Sequence, residues 1–380
     1  MEKIIRASVD AGNKNLNIFV EGMKDPLVMT NCVAAVPSLT LKSPTMYIAK
    51  RETSNPINCL DLTINSNGVN LGRKYLGGLA LKNSGKLRTM GTPKYNDPDI
   101  VFSVLGGIAT TLVRPGENIS VNIALSTCLP AGEFTQPEYV EQHEKRFVGT
   151  HKVVFNHEIF HNASVTIRIY NGNVITVAEG VAALINICTD DKGDILDEYE
   201  NLLDRIVLVA DIGGGTVDIV GMLNFEILGS LVNFKPKGIF YAEENILRLM
   251  KVEKPNYVIL KSELDYCIRK KNCILIDREG TWDIKHIVEE QFKALSEDIA
   301  VDLKERIAAL PENLQKNFGR IVLTGGSVVL LADYLTNALS EFKVIVSSEC
   351  LNDNVKGAYK SLMDYFKEDD QGNNEIRKAQ

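Results

Sequence analysis

The chain has 380 residues, of which 45% are hydrophobic and 24% are charged, as in ordinary globular proteins with room for two domains. Its formal net charge of −7 argues against a direct grip on nucleic-acid phosphates, which needs a concentrated basic face. No apolar run approaches the roughly 20 residues that cross a bilayer, and the first residues resemble a strand rather than a signal peptide, so we expect a cytoplasmic protein without a membrane partner.

The cysteines and one short basic segment carry little functional signal. The seven cysteines are odd in number and include no C-x-x-C pair, which predicts reduced thiols rather than disulfides or a zinc site. Residues 267–272, CIRKKN, are basic, and a solvated helix end is a simpler interpretation than a nucleic-acid patch.

The first segment with a chemical signal is RASVDAGNKNLNIFV, residues 6–20, in which an apolar strand precedes Asp10, Gly12 and a polar loop before a second strand. A glycine-containing loop lets backbone N–H groups converge on an anion. A carboxylate at the strand end would then lie beside bound phosphates, a position that suits a hydrated Mg²⁺. Asp-Gly turns are common, so one such hairpin is weak evidence.

The stretch NHEIFHN, residues 156–162, contains the spelling of a zinc protease site, which works only on a helix, where histidines four apart share one face. Its neighbours favour strands instead: Val165, Ile167 and Ile169 alternate with polar residues, and Asn171-Gly172 predicts a hairpin turn. In a strand, residues four apart are about 13 Å from each other, too far to share one ion. We therefore expect strand and turn here, not a metal centre.

The first hairpin has a counterpart in IVLVADIGGGTVDIVGM, residues 206–222. Aspartate, any residue, glycine, loop and apolar strand follow at the same offsets from Asp10 in one segment and from Asp211 in the other. The two aspartates are 201 positions apart (211 − 10), which is the scale of a duplicated domain. Two such loops in matching register favour a phosphate clamp over two unrelated turns.

Two further segments follow in chain order. Apolar residues at helical spacing between Ile284 and Ile307 predict a long amphipathic helix whose stripe faces the core. In GRIVLTGGSVVLLADYL, residues 319–335, a strand leads into Thr324-Gly325-Gly326-Ser327 and a helix, an arrangement that attracts anions but is also an ordinary βα turn. Neither glycine segment has the spacing of a P-loop or of a dinucleotide fingerprint.

The two aspartate loops and the Gly325 turn, in this order and spacing, resemble the phosphate 1, phosphate 2 and adenosine motifs of the actin-like ATPase superfamily. Residues 175–187, ITVAEGVAALINI, resemble the family's first connecting helix, with Glu179 at the position of its water-orienting acid or glutamine. Residues 352–362, NDNVKGAYKSL, resemble the second connecting helix, with Gly357-Ala358 at its close packing point. The resemblance extends from residue 6 to about residue 366.

Within the superfamily, the chain is most similar to the bacterial plasmid-segregation actins of the ParM group. Residues 69–81 and 92–109 resemble that group's small-domain ending and return helix, and residues 147–180 resemble its β segment before the connecting helix, which assigns HEIFH to strand and turn. Many relatives carry a lysine where this chain has Asn17, and Lys14 is the residue that could supply the charge instead.

The resemblance implies an α/β, actin-like (ribonuclease H-like) two-domain fold, in which each domain has a mixed sheet flanked by helices and an inserted smaller subdomain. The expected boundaries are domain I at 1–185 plus 350–366 with an insertion at about 37–100, domain II at 186–349 with an insertion at about 239–318, and a disordered tail at 367–380.

The resemblance also implies a nucleotide site for ATP or GTP between the domains. Mg²⁺ is expected at Asp10 and Asp211, while Glu179, aided by Asp211, would orient the attacking water. The implied nucleotide contacts are Asp10, Gly12, Asn13, Lys14, Asn15, Gly213, Gly214, Gly215, Thr216, Arg269, Gly325, Gly326 and Ser327.

The activity implied is nucleotide-dependent, head-to-tail assembly into filaments that segregate plasmid DNA. A small basic, ParR-like adaptor on a centromere-like site would hold the DNA, which agrees with the acidic balance of the chain. Three rivals have the same fold. A heat-shock-type chaperone would need a substrate domain after residue 380. A shape-determining MreB-type actin would need a membrane-binding loop or helix. A sugar or carboxylate kinase would hydrolyse or transfer phosphate from ATP faster when its acceptor is present.

Overall fold

The computed structural model of the chain describes residues 3–36, 55–83, 85–87, 92–270, 272–277 and 280–372. Parts of the expected insertion at 37–100 and the end of the expected tail, 373–380, therefore lie outside the described residues. The chain divides into two compact units, Met1–Leu196 with Asn352–Gln380, and Asp197–Leu351. Each unit has its own sheet and its own hydrophobic core.

The described strands of the first unit form one mixed sheet in the order β3-β2-β1-β8-β10-β9-β5-β6-β4-β7, with β11 also beside β8. The strands are β1 Ile4–Ala11, β2 Asn15–Val20, β3 Leu27–Thr30, β4 Cys32–Ala35, β5 Asp61–Ser66, β6 Val69–Leu76, β7 Lys86–Leu87, β8 Asn118–Leu129, β9 Gly149–Phe155, β10 Ser164–Ile169 and β11 Val174–Ala178. Because β5 pairs with β9, the sheet continues from the core into residues 61–76 of the expected insertion.

Helices cover this sheet and seal its core. They are α1 Gly78–Lys82, α2 Ile100–Leu112, α3 Ala131–Phe134, α4 Pro137–Lys145 and α5 Val181–Cys188. Helix α2 is apolar on nearly all sides, and its Leu105 and Ile108 are fully buried together with Leu16 and Ile18 of β2. A helix that is apolar all round is stable only in the interior.

The HEIFH stretch lies at the β9–β10 connection. Its central residues, Glu158–Phe160, form one 3₁₀ turn, and His161 after it has a left-handed backbone with a φ of 49°. The two histidines thus flank a turn and do not share a helical face. The strand-and-turn interpretation of this segment is confirmed by its backbone conformation.

The predicted hairpin turn at Asn171-Gly172 is wrong. Strands β10 and β11, on either side of this turn, both run parallel to β8: Ser164–Arg168 lies beside its first half, and Val174–Ala178 lies beside its second half. The turn therefore connects two consecutive strands that both pair with β8, one after the other along its length. The turn chemistry was identified correctly, with Gly172 at a φ of 82°, but a turn alone does not determine which strand the next one joins.

The second unit is built on a sheet in the order β14-β13-β12-β17-β18, with a separate two-stranded ribbon of β15 and β16. Its strands are β12 Ile206–Ile212, β13 Val217–Leu223, β14 Glu226–Lys235, β15 Ile274–Asp277, β16 Gly280–Asp283, β17 Phe318–Thr324 and β18 Val344–Val346. Its helices are α6 Glu200–Leu203, α7 Ile239–Glu253, α8 Lys261–Arg269, α9 Lys285–Ala308, α10 Glu312–Lys316 and α11 Val328–Ala338.

The long amphipathic helix is confirmed as α9. Its stripe is buried from Ile287 to Ile307, in one core with the apolar residues of β12 and β17. The segment CIRKKN falls at the end of α8, where Arg269 is the last helical residue and Lys270 is exposed, as expected of a solvated helix end.

The chain returns to the first unit in α12, Asp353–Gly372, which crosses α5. A Cβ on Gly357 would lie 1.7 Å from the Ala182 carbonyl oxygen, so the close packing point predicted at Gly357 is confirmed. The helix continues to Gly372, six residues beyond the expected domain boundary at residue 366. None of the described helices is both long and apolar enough to cross a bilayer.

Candidate functional site

The first aspartate loop is the turn between β1 and β2. These strands pair antiparallel with Asp10 opposite Asn17, and Asp10 is only 9% exposed. Asn31 holds the turn from outside: its side-chain amide donates to the Gly12 carbonyl oxygen at 2.7 Å, and its backbone N–H donates to the Lys14 carbonyl oxygen at 2.8 Å. With these carbonyl groups engaged, the loop keeps one defined shape.

Lys94 contacts both Asp10 and Glu179. Its Nζ is 3.1 Å from Asp10 Oδ1 and also donates to Glu179 Oε1. The lysine side chain is 2% exposed, and each of the two carboxylate side chains is 12% exposed. An ammonium group is buried at this depth only when it is paired. The first unit therefore brings the two predicted acids, Asp10 and Glu179, together around one cation.

The charge on Lys94 is fixed by its surroundings. Burial alone would lower the pKa of the ammonium group, but the carboxylates of Glu179 and Asp10 outweigh it and raise the pKa above its ordinary value. Lys94 is consequently a permanent cation, and it offsets the repulsion between two acids that contact the same nitrogen atom.

Three side chains hold the 3₁₀ turn Lys94–Asn96 in place. Both carboxylate oxygens of Glu133 accept backbone N–H groups, from Lys94 and Tyr95, each at 2.9 Å. The guanidinium of Arg146 donates to the carbonyl oxygens of Tyr95 and Asp97. The Tyr95 ring stacks on Tyr139 at a centroid distance of 4.0 Å and an interplanar angle of 5°. The backbone that carries Lys94 is thereby fixed from two sides.

Glu179 occupies the turn between β11 and α5. Within residues 175–187, which resemble the first connecting helix, β11 runs to Ala178 and the helix begins at Val181, after Gly180 with a φ of 79°. The Glu179 N–H donates to the Leu129 carbonyl oxygen at 2.7 Å, and the Gly180 N–H donates to Asn354 Oδ1 at 3.1 Å. This strand-end position points the acid into the first half-site, which we define as Asp10, Lys94 and Glu179.

The second aspartate loop repeats the register of the first. Strands β12 and β13 pair antiparallel with Asp211 opposite Asp218, and Asp211 is again 9% exposed. The loop carbonyl groups are taken up by the start of α7: the Gly238 N–H donates to Gly215 O at 2.9 Å, and the Phe240 N–H donates to Gly214 O at 2.8 Å. The repeated aspartate-glycine segments of the sequence therefore correspond to two hairpins of the same register.

The turn from Thr324 to Ser327 lies against the second aspartate loop, since β17 runs parallel to β12 with Thr324 beside Asp211. Gly325 has a φ of 95°, and a Cβ there would lie 2.3 Å from Asp211 Oδ1. The Ser327 hydroxyl donates to the Gly213 carbonyl oxygen at 2.9 Å. The second unit thus brings these two predicted motifs into direct contact, and we define Asp211, Gly213–Thr216 and Gly325–Ser327 as the second half-site.

Other predicted residues are placed as follows. Asn13, Lys14 and Asn15 are half-buried in and beside the first loop, and Thr216 donates its hydroxyl to Asp218 Oδ2 at 3.0 Å within the second loop. The contact that the structure gives Arg269 is with Asp265 Oδ1 at 2.9 Å, one turn earlier on α8, rather than with the glycine turns.

Lys94 is the functional candidate that sequence reasoning missed. It stands in TPKYNDPD, residues 92–99, a segment assigned only to a return helix, whereas the helix begins at Ile100. The available signal was a lysine between two proline-bounded turns, upstream of an apolar helix, and this signal specifies no partner.

Each of the two aspartates, taken within its own unit, is the kind of donor that suits a hydrated Mg²⁺. Magnesium prefers oxygen ligands, retains several waters and is usually held by one or two carboxylates. Asp10 and Asp211 are carboxylates at buried strand ends, and beside Asp211 only a glycine fits, because a Cβ would collide with its Oδ1. Both side chains therefore have the oxygen chemistry that this ion prefers.

No protein-family model matches the chain, and no curated protein matches it by sequence. Solved structures do. The actin-like protein Alp7A superposes with a TM-score of 0.76 at 16% identity, over 97% of this chain and 98% of its own. A Bacillus thuringiensis ParM solved with ATP gives 0.69 at 16% identity, over 97% and 99%. A 15-stranded ParM filament from Clostridium botulinum gives 0.70 at 15% identity, over 96% and 100%.

These similarities extend over nearly the whole of each chain. The chain therefore has the actin-like two-domain α/β fold, and its resemblance in fold to the ParM and Alp7A proteins is confirmed. Identities of 15–16% establish the fold and leave the activity to be argued from the residues.

Proposed function

We propose that the chain is a nucleotide-dependent, filament-forming actin-like ATPase that segregates plasmid DNA through a DNA-binding adaptor. The observation that carries the proposal is the repeated aspartate hairpin, with Asp10 opposite Asn17 and Asp211 opposite Asp218, on an actin-like fold. A glycine turn is packed against the second hairpin and an acid, Glu179, accompanies the first. A triphosphate needs such backbone loops for its oxygens and a carboxylate for the attacking water.

In the proposed reaction, the two aspartate loops bind the phosphates of one nucleoside triphosphate. Glu179 accepts a hydrogen bond from a water molecule and orients its oxygen toward the terminal phosphorus. The new P–O bond forms as the bond to the bridging oxygen of the diphosphate breaks, one proton stays on the released phosphate, and one passes to solvent. Mg²⁺ held through water by Asp10 and Asp211 would supply charge neutralisation on the phosphate oxygens.

The proposed output is polymerisation. One relative was solved as a filament and another with ATP, and head-to-tail contacts between identical copies need not close into a ring. The bound triphosphate would favour the assembling state and its hydrolysis would release it. With a net charge of −7, the chain is proposed to reach plasmid DNA through a small basic, ParR-like adaptor rather than directly.

The test is sedimentation and phosphate release with Mg-ATP and, in parallel, Mg-GTP. We expect nucleotide-dependent pelleting and slow phosphate release, and we expect Glu179→Ala to lower release about 10²–10⁴-fold with little change in nucleotide affinity. Glu141→Ala is the matched control, because this glutamate is exposed and pairs with Lys145 on its own helix. Absence of nucleotide binding would refute the proposal. Turnover without pelleting, rising with a sugar or carboxylic acid, would identify a kinase instead.

A further inference from the structure

We infer that Lys94 is a positioning residue for hydrolysis: its ammonium group holds the Glu179 carboxylate in the orientation that directs the attacking water. The inference rests on the proposed function and goes beyond it, because no motif of the sequence assigns this lysine a role. It concerns the rate of the chemical step rather than nucleotide affinity.

The first step is the geometry of the contact. The ammonium group of Lys94 donates to Oε1 of Glu179, so the contact restrains the direction in which the carboxylate points. Glu179 stands in a turn, where a side chain without a partner would sample several rotamers. A rate-determining carboxylate must be held to within about half an ångström of its working position by neighbouring groups.

The second step is electrostatic. Asp10 and Glu179 contact the same nitrogen atom and are each 12% exposed, so without the cation two buried negative charges would repel each other. Cys128, which is buried, also lies close enough to influence the ammonium group of Lys94. Removing the ammonium group would therefore turn Glu179 away from Asp10, and the water would lose its acceptor.

The third step is the support behind the lysine. Glu133, Arg146 and Tyr139 engage the backbone and ring of the 3₁₀ turn, and none of these contacts is with the Lys94 ammonium group itself. These contacts fix the backbone of the turn, and with it the point from which the Lys94 side chain extends to the two acids. A lysine that served only to fill the core would need no separate anchoring of its backbone.

The experiment is a double-mutant cycle between Lys94→Met and Glu179→Ala, with kcat and nucleotide affinity measured for each protein. We expect K94M to lower kcat about 10–100-fold, the usual effect of losing a residue that orients a reacting group, with affinity within about threefold of the parent protein. In the E179A background the same substitution should change kcat by less than about twofold, because there is no carboxylate left to orient.

Two further variants keep the test decisive. Arg73→Met is the control, because it breaks a two-contact ion pair with Asp61 elsewhere in the same unit and should leave kcat unchanged. If K94M does not fold, Tyr139→Leu replaces it: this change leaves every charge in place, removes the ring stacked on Tyr95, and should lower kcat severalfold only when Glu179 is present.

The outcomes separate the two proposals. A parent protein that hydrolyses nucleotide while K94M and Y139L keep its kcat would overturn the role of Lys94 and leave the proposed function intact. An equal loss in the presence and absence of Glu179 would also overturn it, because the lysine would then act independently of that acid. If the parent protein binds no nucleotide, both the proposed function and the role of Lys94 are refuted.

Discussion

Replacing Gly325 by alanine tests the second half-site directly. The residue has a φ of 95°, which side chains rarely adopt, and the added Cβ would lie 2.3 Å from Asp211 Oδ1 and 2.6 Å from the Ile212 nitrogen. The Ile212 nitrogen belongs to strand β12 in the middle of the sheet and cannot yield as a flexible side chain would. The alanine therefore has to push the turn away from the aspartate.

The cost follows from these two effects. A residue forced into a sparsely populated backbone region loses about 1–3 kcal/mol, and overpacking of a well-filled site adds about 1–3 kcal/mol. We expect the second unit to lose roughly 2–6 kcal/mol of unfolding free energy, which is a large part of the 5–15 kcal/mol typical of a whole domain. Nucleotide affinity should fall as well, since the Asp211 carboxylate is displaced.

Urea unfolding, combined with hydrogen exchange of the β12 and β17 amides, measures this loss and locates it, because a chain of two units need not unfold in one step. Gly326→Ala is the matched control. At that position the nearest atom to a new Cβ is Leu351 Cδ1 at 3.0 Å, the tip of a flexible side chain, and the backbone is ordinary. Equal stability for the two variants would refute the reasoning.

Three other changes give sharp expectations. Gly357→Ala should destabilise the first unit by about 3 kcal/mol or more in urea unfolding, since its Cβ would lie 1.7 Å from Ala182 O, whereas Gly132→Ala, with nothing within 4 Å, should be nearly neutral. Burial lowers the pKa of His151 from 6.5 despite its hydrogen bond to Phe147 O, so the unfolded chain takes up a proton at a higher pH than the folded chain does. The free energy of unfolding should therefore fall as the pH drops below about 6.5. His151→Gln should flatten this pH dependence, whereas the control variant His161→Asn, at an exposed position, should not. Burial raises the pKa of Cys188 to about 12 and of Cys32 to about 11, so a thiol reagent at pH 8 should label both only on unfolding, and rapid labelling of the native protein would contradict their burial.

The elements that could be predicted from the sequence are those whose signal is local. The two aspartate hairpins and α9 are confirmed because alternation, loop glycines and a helical stripe each specify one conformation. The close approach at Gly357 is confirmed for a similar reason, since only glycine permits a carbonyl oxygen at that distance. These are properties of a few consecutive residues.

The features that were predicted wrongly or missed depend on contacts between residues distant in sequence. The turn at Asn171-Gly172 was identified, but whether β11 pairs with β10 or with β8 is decided by the sheet as a whole. Lys94 lies 84 positions from Asp10 and 85 from Glu179, and no periodicity connects residues so far apart. Its role emerges only when the 3₁₀ turn is seen anchored to Glu133 and Arg146.

The two aspartate loops also differ in the groups that surround them, a difference that could not be predicted from their sequences. Both place an aspartate at the same position of a hairpin, yet Asp10 faces the buried cation of Lys94 while Asp211 faces the backbone of the Gly325 turn. A cation beside an acid controls charge and orientation, and a tight backbone turn beside an acid controls shape. In the proposed reaction, the first half-site would accordingly meet the reacting end of the triphosphate and the second would recognise the nucleotide. The two hairpins share one register, and side chains and turns from elsewhere in each unit give them different surroundings.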